Sequence, residues 1–259
     1  MRRVDKARAA FLKKDFHGLY TSHQKKVIHQ TIHHQEAHLK NFNLPEIILG
    51  FQDGLVNVLG VILGVAAATV SSKIIIVAGL AATFAESISM AAVAYTSTLA
   101  EADYYQSELE REKWEIENYP EGEKEEIKAL YENYGFKGKI LKEIVDRLTA
   151  NKDIWLKVMM EQELKLEPID RSKALPNALI VGGSAFFGSL IPLFPFFVFS
   201  VKQSIIISLI SSFFVLFGLG YFKAKKTLGR QLIRGGLEIA IIGIVSALVG
   251  YGIGLIFKV

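Results

Sequence analysis

Five mostly apolar stretches dominate this chain, and each is long enough to cross a bilayer core of ~30 Å as a helix, which takes about 20 residues. They run from about Glu46 to Val70, Ile74 to Ala100, Leu175 to Ser200, Ser204 to Phe222 and Gly236 to Phe257. Hydrocarbon offers no water to an unpaired N–H or C=O, so such stretches must fold as helices or as a closed barrel. Their length suits helices. The fold expected is an all-α membrane protein with five transmembrane helices and a cytoplasmic helical insert between the second and third. Residues 1–45 then form an amphipathic amino-terminal arm, 46–100 the first two spans, 101–173 the insert and 174–259 the last three spans. Pro192 and Pro195 interrupt the third span, which is expected to kink there.

Charge sets the orientation, because Lys and Arg collect on the cytoplasmic side. Of the 30 basic residues, nine lie in 1–45, thirteen in 101–173 and five in 223–234, leaving Lys73, Lys202 and Lys258 for the opposite side. The amino terminus and the insert are therefore expected in the cytoplasm, and the first 45 residues hold no apolar run that could serve as a signal peptide. The insert carries nineteen acidic against thirteen basic groups, a net −6 suited to attracting cations. The arm carries nine basic against three acidic groups and all six His, and reads as a helix facing lipid headgroups. His29/His33 and His34/His38, each four apart, also have a spacing that can hold a transition metal.

Within the insert, the helix of the second span should continue without a break to Asn118, where Tyr119-Pro120-Glu121-Gly122 stops it. Three amphipathic helices follow, Glu123 to Tyr134, Lys139 to Ala150 and Lys152 to Glu167. Ile140, Ile144, Val145 and Leu148, then Ile154, Trp155, Val158 and Met159, recur at helical spacing as the apolar face. So small a core calls for dimerisation or bound ions to support it.

The polar residues inside the spans bear on function. A carboxylate at bilayer depth costs at least ~2.5–3.5 kcal/mol, so Asp53 needs a purpose. Glu46, Asp53 and Asn57 share one helical stripe, and Gly50, Gly54, Gly60 and Gly64 form two small-xxx-small pairs that allow close helix approach. On the second span Met90 should lie near the depth of Asp53, with Glu86 one turn away on the same face. Glu86 either belongs to the same path or pairs with another polar group such as Glu238 or Asn177. Oxygen ligands alone suit magnesium, calcium or manganese, and a thioether moves the preference toward ferrous iron. With no Cys, thiolate ligands and nucleophiles are excluded. No Walker, Gly-x-Ser-x-Gly or His-Glu-x-x-His motif is present, which argues against an ATP-driven pump or a membrane hydrolase.

Glu46-Ile-Ile-Leu-Gly-Phe-Gln-Asp53-Gly54-Leu55 and Ser89-Met90-Ala91 resemble motifs of the vacuolar iron transporter family, and the resemblance covers residues 46–257. It implies a homodimer with the ion path between protomers and proton-coupled export of ferrous iron from the cytosol. It also implies an insert that binds metal through two Glu-x-x-Glu pairs and a Met-Met-x-x-Glu motif, matched by Glu112/Glu115, Glu123/Glu126 and Met159/Met160/Glu163. Acidic pairs three apart are common by chance where nineteen acids fall in one segment, whereas all three methionines other than Met1 land on motif positions. The chain departs from the family pattern at Ala94, where many relatives carry Glu, and places Glu86 four residues before Met90 instead. The expected partners are divalent metal ions, the lipid bilayer and a second copy of the chain, with no nucleic acid and no resident cofactor. A prokaryotic cell membrane, or a vacuolar one in a eukaryote, is the expected location. Two other readings stay open: a membrane-anchored carboxylate di-iron oxidase, although residues 101–173 lack His, and a non-transporting assembly whose acidic insert docks a basic partner.

Overall fold

A computed structural model describes residues 10, 11, 13–22, 44–227 and 231–257. The paired histidines from His29 to His38 lie outside the described residues, whereas His17 sits exposed in a short helix, α1 (Phe16–Ser22). The described residues are helical, without strand, and five helices are long and apolar enough to cross a membrane. They are α2 (Leu44–Ala68), α3 (Ser72–Asn118), α7 (Ala174–Leu193), α9 (Val201–Thr227) and α10 (Leu232–Ile256). Between α3 and α7 come α4 (Pro120–Asn133), α5 (Gly138–Thr149) and α6 (Lys152–Val158), and α8 (Pro195–Val198) follows α7. Two compact units result: Met1–Ala91 with Leu179–Val259, and Ala92–Ala178. The helix α3 has no interruption, as expected from its sequence, and contributes residues to both.

In the first unit α2 is the most enclosed span, with Leu55, Val58, Leu59 and Ile62 at 0% exposure. Its glycines explain why. Gly50 and Gly54 lie against the backbone of Val181 and Ala185 on α7, while Gly188 of α7 lies against Phe51. On another side Gly60 and Gly64 face Gly250 and Gly254 of α10, which also packs on α9. Without Cβ atoms at these crossings the backbones meet directly, so dispersion contacts replace the hydrophobic force that lipid removes.

The third span differs from its expected extent. The interruption falls at the two prolines, as expected, but the helix ends at Leu193 and a separate short helix, α8, begins at Pro195, instead of one helix running on to Ser200. Pro195 has no N–H to continue the ladder. At the break α9 is tied to both prolines: the Ser208 hydroxyl donates to Pro192 O at 2.6 Å and the Ser204 hydroxyl to Pro195 O at 3.0 Å.

The second unit has an apolar core of Ile116, Ile127, Leu141, Val145, Trp155, Val158 and Met159. Ile140 and Ile154, expected on the buried face, are instead 62% and 47% exposed. Leu141 takes the place of Ile140, so the buried stripe of α5 lies one residue round from the one the periodicity marks. The last amphipathic helix is also shorter than expected: α6 ends at Val158, and Met159–Glu163 winds as a π turn.

Candidate functional site

Five carboxylates converge in the second unit. Glu112 and Glu115, three residues apart, project from one face of α3. Pro120 at the first turn of α4, where a missing N–H costs nothing, reverses the chain and brings Glu123 and Glu126 round in the first turns of that helix. One oxygen from each of Glu112, Glu115 and Glu123 lies within 4.8 Å of the others. Glu163 joins them from the π turn, its carboxyl hydrogen-bonded to that of Glu126 and facing the charge of Glu112. The helix leading into the turn is capped, and the turn itself is tied to α4. Asn151 caps α6 by accepting from the N–H groups of Asp153 and Ile154 at 2.8 and 3.2 Å, and the Tyr131 hydroxyl of α4 donates to Gln162 at 3.0 Å.

These acids are strongly perturbed. Glu112 and Glu123 are only 1% and 5% exposed. Burial first, and then the charges of Glu112, Glu126, Glu115 and Glu163, push the Glu123 carboxyl up to about 8. Burial, followed by Glu126 and Glu112, raises Glu163 to about 7. One oxygen on each of Glu112, Glu123 and Glu163 is buried without a hydrogen-bond partner. A buried, unpartnered carboxylate oxygen is costly, and a divalent cation would satisfy several at once. The spacing fits such an ion, since two oxygens at about 2.1–2.4 Å from one metal sit no more than about 4.8 Å apart. Met159 and Met160 occupy the same π turn as Glu163, at 0% and 2% exposure, with Met159 packed into the apolar core.

Two participants had not been singled out from the sequence. Arg111 donates to Glu112 at 2.6 Å, to Glu108 at 2.8 Å and to Glu115, so it is the cation that meets the cluster in this structure. Its spacing of three and four residues from Glu108 and Glu115 is an ordinary helical ion-pair pattern that the sequence does display. The π turn, by contrast, left no local signal, because Met159–Glu163 continues a normal helical composition.

A second polar group lies in the first unit. Glu86 of α3 is hydrogen-bonded to the side chains of Asp53 and Asn57 on α2. Glu86 thus bonds to the stripe of α2 that carries Asp53 and Asn57. Asp53, Glu86 and Met90 are half-buried, and Asn57 is exposed at the surface of the chain. Met90 stands one turn beyond Glu86 on the same helix. Glu46, in the first turn of α2, is half-buried with one carboxylate oxygen enclosed and unpartnered. A neutral Ala94 follows Met90 by one turn.

Comparison with known proteins gives this architecture a context. Residues 44–255 match the model of the VIT family. The chain is 33% identical over 237 residues to "Vacuolar iron transporter 1" of Oryza sativa subsp. japonica, covering 91% of this chain and 94% of that protein. It is 34% identical over 221 residues to "Vacuolar iron transporter" of Centaurea cyanus, covering 85% and 90%, and 30% identical over 250 residues to the protein of that name from Plasmodium berghei, covering 91% of each. All three relatives carry the names of transporters, in accord with the expectation that this chain is not an enzyme. On the strength of a match that takes in all five spans and the insert, the chain belongs to the VIT family.

Proposed function

We propose that this protein transports divalent metal, ferrous iron foremost, out of the cytosol in exchange for protons. The observation that carries the reading is the grouping of Glu112, Glu115 and Glu123 around one ion-sized space, with buried oxygens left unpartnered. Glu126, Glu163 and the thioethers of Met159 and Met160 complete a donor set of hard oxygen and softer sulfur suited to a first-row ion such as ferrous iron or manganese. On this reading the insert is cytoplasmic and collects the metal. Glu46, Asp53 and Met90 pass it through the spans, with Asn57 and Glu86 serving the same path. The exposed position of Asn57 beside Asp53 and Glu86 supports a homodimer in which a second copy closes the path.

Carboxyls bind either a proton or a metal through the same lone pairs, which gives exchange a chemical basis. The names of the relatives support iron as cargo. The test is flux in proteoliposomes loaded with a metal-sensitive dye, with and without a pH gradient and with competing divalent ions. Asp53→Ala is expected to abolish flux while the protein stays monodisperse. Undiminished flux in that variant would remove Asp53 from the path, and flux indifferent to the gradient would remove the proton from the cycle.

A further inference from the structure

Arg111 is the one basic side chain among the described residues that is bonded to two of the three grouped acids, and the way it is held is unusual for a simple surface ion pair. Its Nη2 reaches Glu112, its Nη1 reaches Glu115, and its Nε and Nη2 both reach Glu108, at 3.1 and 2.8 Å. Glu112 is almost fully buried, whereas Arg111 remains 44% exposed. The guanidinium therefore stands at the exposed side of the acidic group, on two of the carboxylates that an incoming cation also requires. Glu108 lies outside the five-carboxylate group and keeps two contacts to Arg111 that do not depend on Glu112 or Glu115.

We propose that Arg111 is a tethered competitor for the metal: it occupies Glu112 and Glu115 when no ion is bound and is displaced onto Glu108 when one arrives, which weakens binding and speeds release. This rests on the reading of the insert as a metal site, and it adds a residue that limits affinity to those that create it. A planar fork can satisfy two carboxylates together and still retain a third as a resting place, which a lysine ammonium cannot do with the same geometry. The unpartnered buried oxygens of Glu112 and Glu123 are the independent sign that Arg111 alone does not satisfy the group. Without such a competitor, a site of five acids would hold its ion tightly, which suits storage better than transport.

The test uses the full chain in detergent at pH 8, with manganese(II) as the probe and free ion measured by its paramagnetic resonance signal. Arg111→Gln should bind about tenfold more tightly, the equivalent of breaking two partly exposed ion pairs of about 0.5–1 kcal/mol each. Arg111→Lys, which keeps the charge but loses the fork, should fall between wild type and Arg111→Gln. Glu108→Gln should weaken binding at least threefold, and adding it to Arg111→Gln should change nothing further. Arg111→Gln binding no more tightly than wild type overturns the proposal. So does Arg111→Lys matching wild type, which would reduce the effect to net charge and settles the matter even if Arg111→Gln fails to fold. Equal weakening by Glu108→Gln in both backgrounds overturns the resting place. Absence of binding in wild type and every variant overturns the metal site itself, a result distinct from binding that ignores Arg111.

Discussion

Glu123→Gln should make the metal-free insert more stable and, at the same time, unresponsive to metal. The buried carboxyl of Glu123 is pushed up to about 8 from an ordinary 4.5, so folding takes up a proton at neutral pH. For a carboxyl raised in this way the penalty is absent below about pH 4.5, grows as pH rises, and levels off above about 8. Linkage puts it on the order of 3 kcal/mol at pH 7. Gln keeps the shape and cannot ionise, although its amide must find a partner, so part of that gain is offset. Even half of it would raise the melting temperature of a small domain by about 6–12 °C. Metal is expected to stabilise the wild type, by about 2.7 kcal/mol at a concentration a hundred times Kd. The readout is provided by the chain itself: its two tryptophans, Trp114 and Trp155, both lie in the insert, so tryptophan emission of the full-length protein follows this unit alone. Melts at pH 7 with and without manganese(II) give both quantities. A lower metal-free midpoint for Glu123→Gln would show that the buried acid carries no such penalty, and an undiminished metal shift would show that Glu123 is not a ligand.

Two further outcomes follow from the same structure. With Glu123 near 8 and Glu163 near 7, a metal that displaces both protons should bind about 50-fold more tightly at pH 7 than at pH 6, measured by equilibrium dialysis; a pH-independent Kd would remove both groups from the site. Gly54→Ala would drive a Cβ to within 2.8 Å of Ala185 backbone atoms, which cannot yield as a side-chain tip can, so it should cost about 1–3 kcal/mol and broaden the size-exclusion peak after heating, whereas Gly218→Ala, with open space around it, should not.

The legible parts of this molecule were those where one residue property decides the outcome. Span number followed from apolar length, and the glycine seams of α2 followed from four glycines at helical spacing. The convergence of the Glu-x-x-Glu pairs could be anticipated because each pair shares a helix face and Pro120 fixes the reversal between them. What sequence could not supply was set by contacts across the fold. Whether α5 buries Ile140 or Leu141 depends on the angle at which it meets its neighbours, and both residues are equally apolar. The end of the third helix is accompanied by bonds from Ser204 and Ser208 of α9 to the carbonyls of Pro195 and Pro192, contacts that local sequence does not display. At the π turn Met159–Glu163, Glu163 goes to the acidic group and Met159 to the apolar core, a partition that nothing in the local sequence marks.

That partition bears on why the insert is built from competing groups. A resident structural ion is held best by ligands already ionised and free of other partners before it arrives. Here the order is reversed: Glu123 and Glu163 hold their protons into the neutral range, and Arg111 takes up Glu112 and Glu115. On the proposed reading, every ion that enters must evict a proton or a guanidinium, so part of the attraction of five carboxylates is cancelled by what it displaces. On that reading the insert's ligands are numerous enough to select a divalent ion and encumbered enough to let it go. A storage site gains nothing from the second property, but a carrier cannot turn over without it.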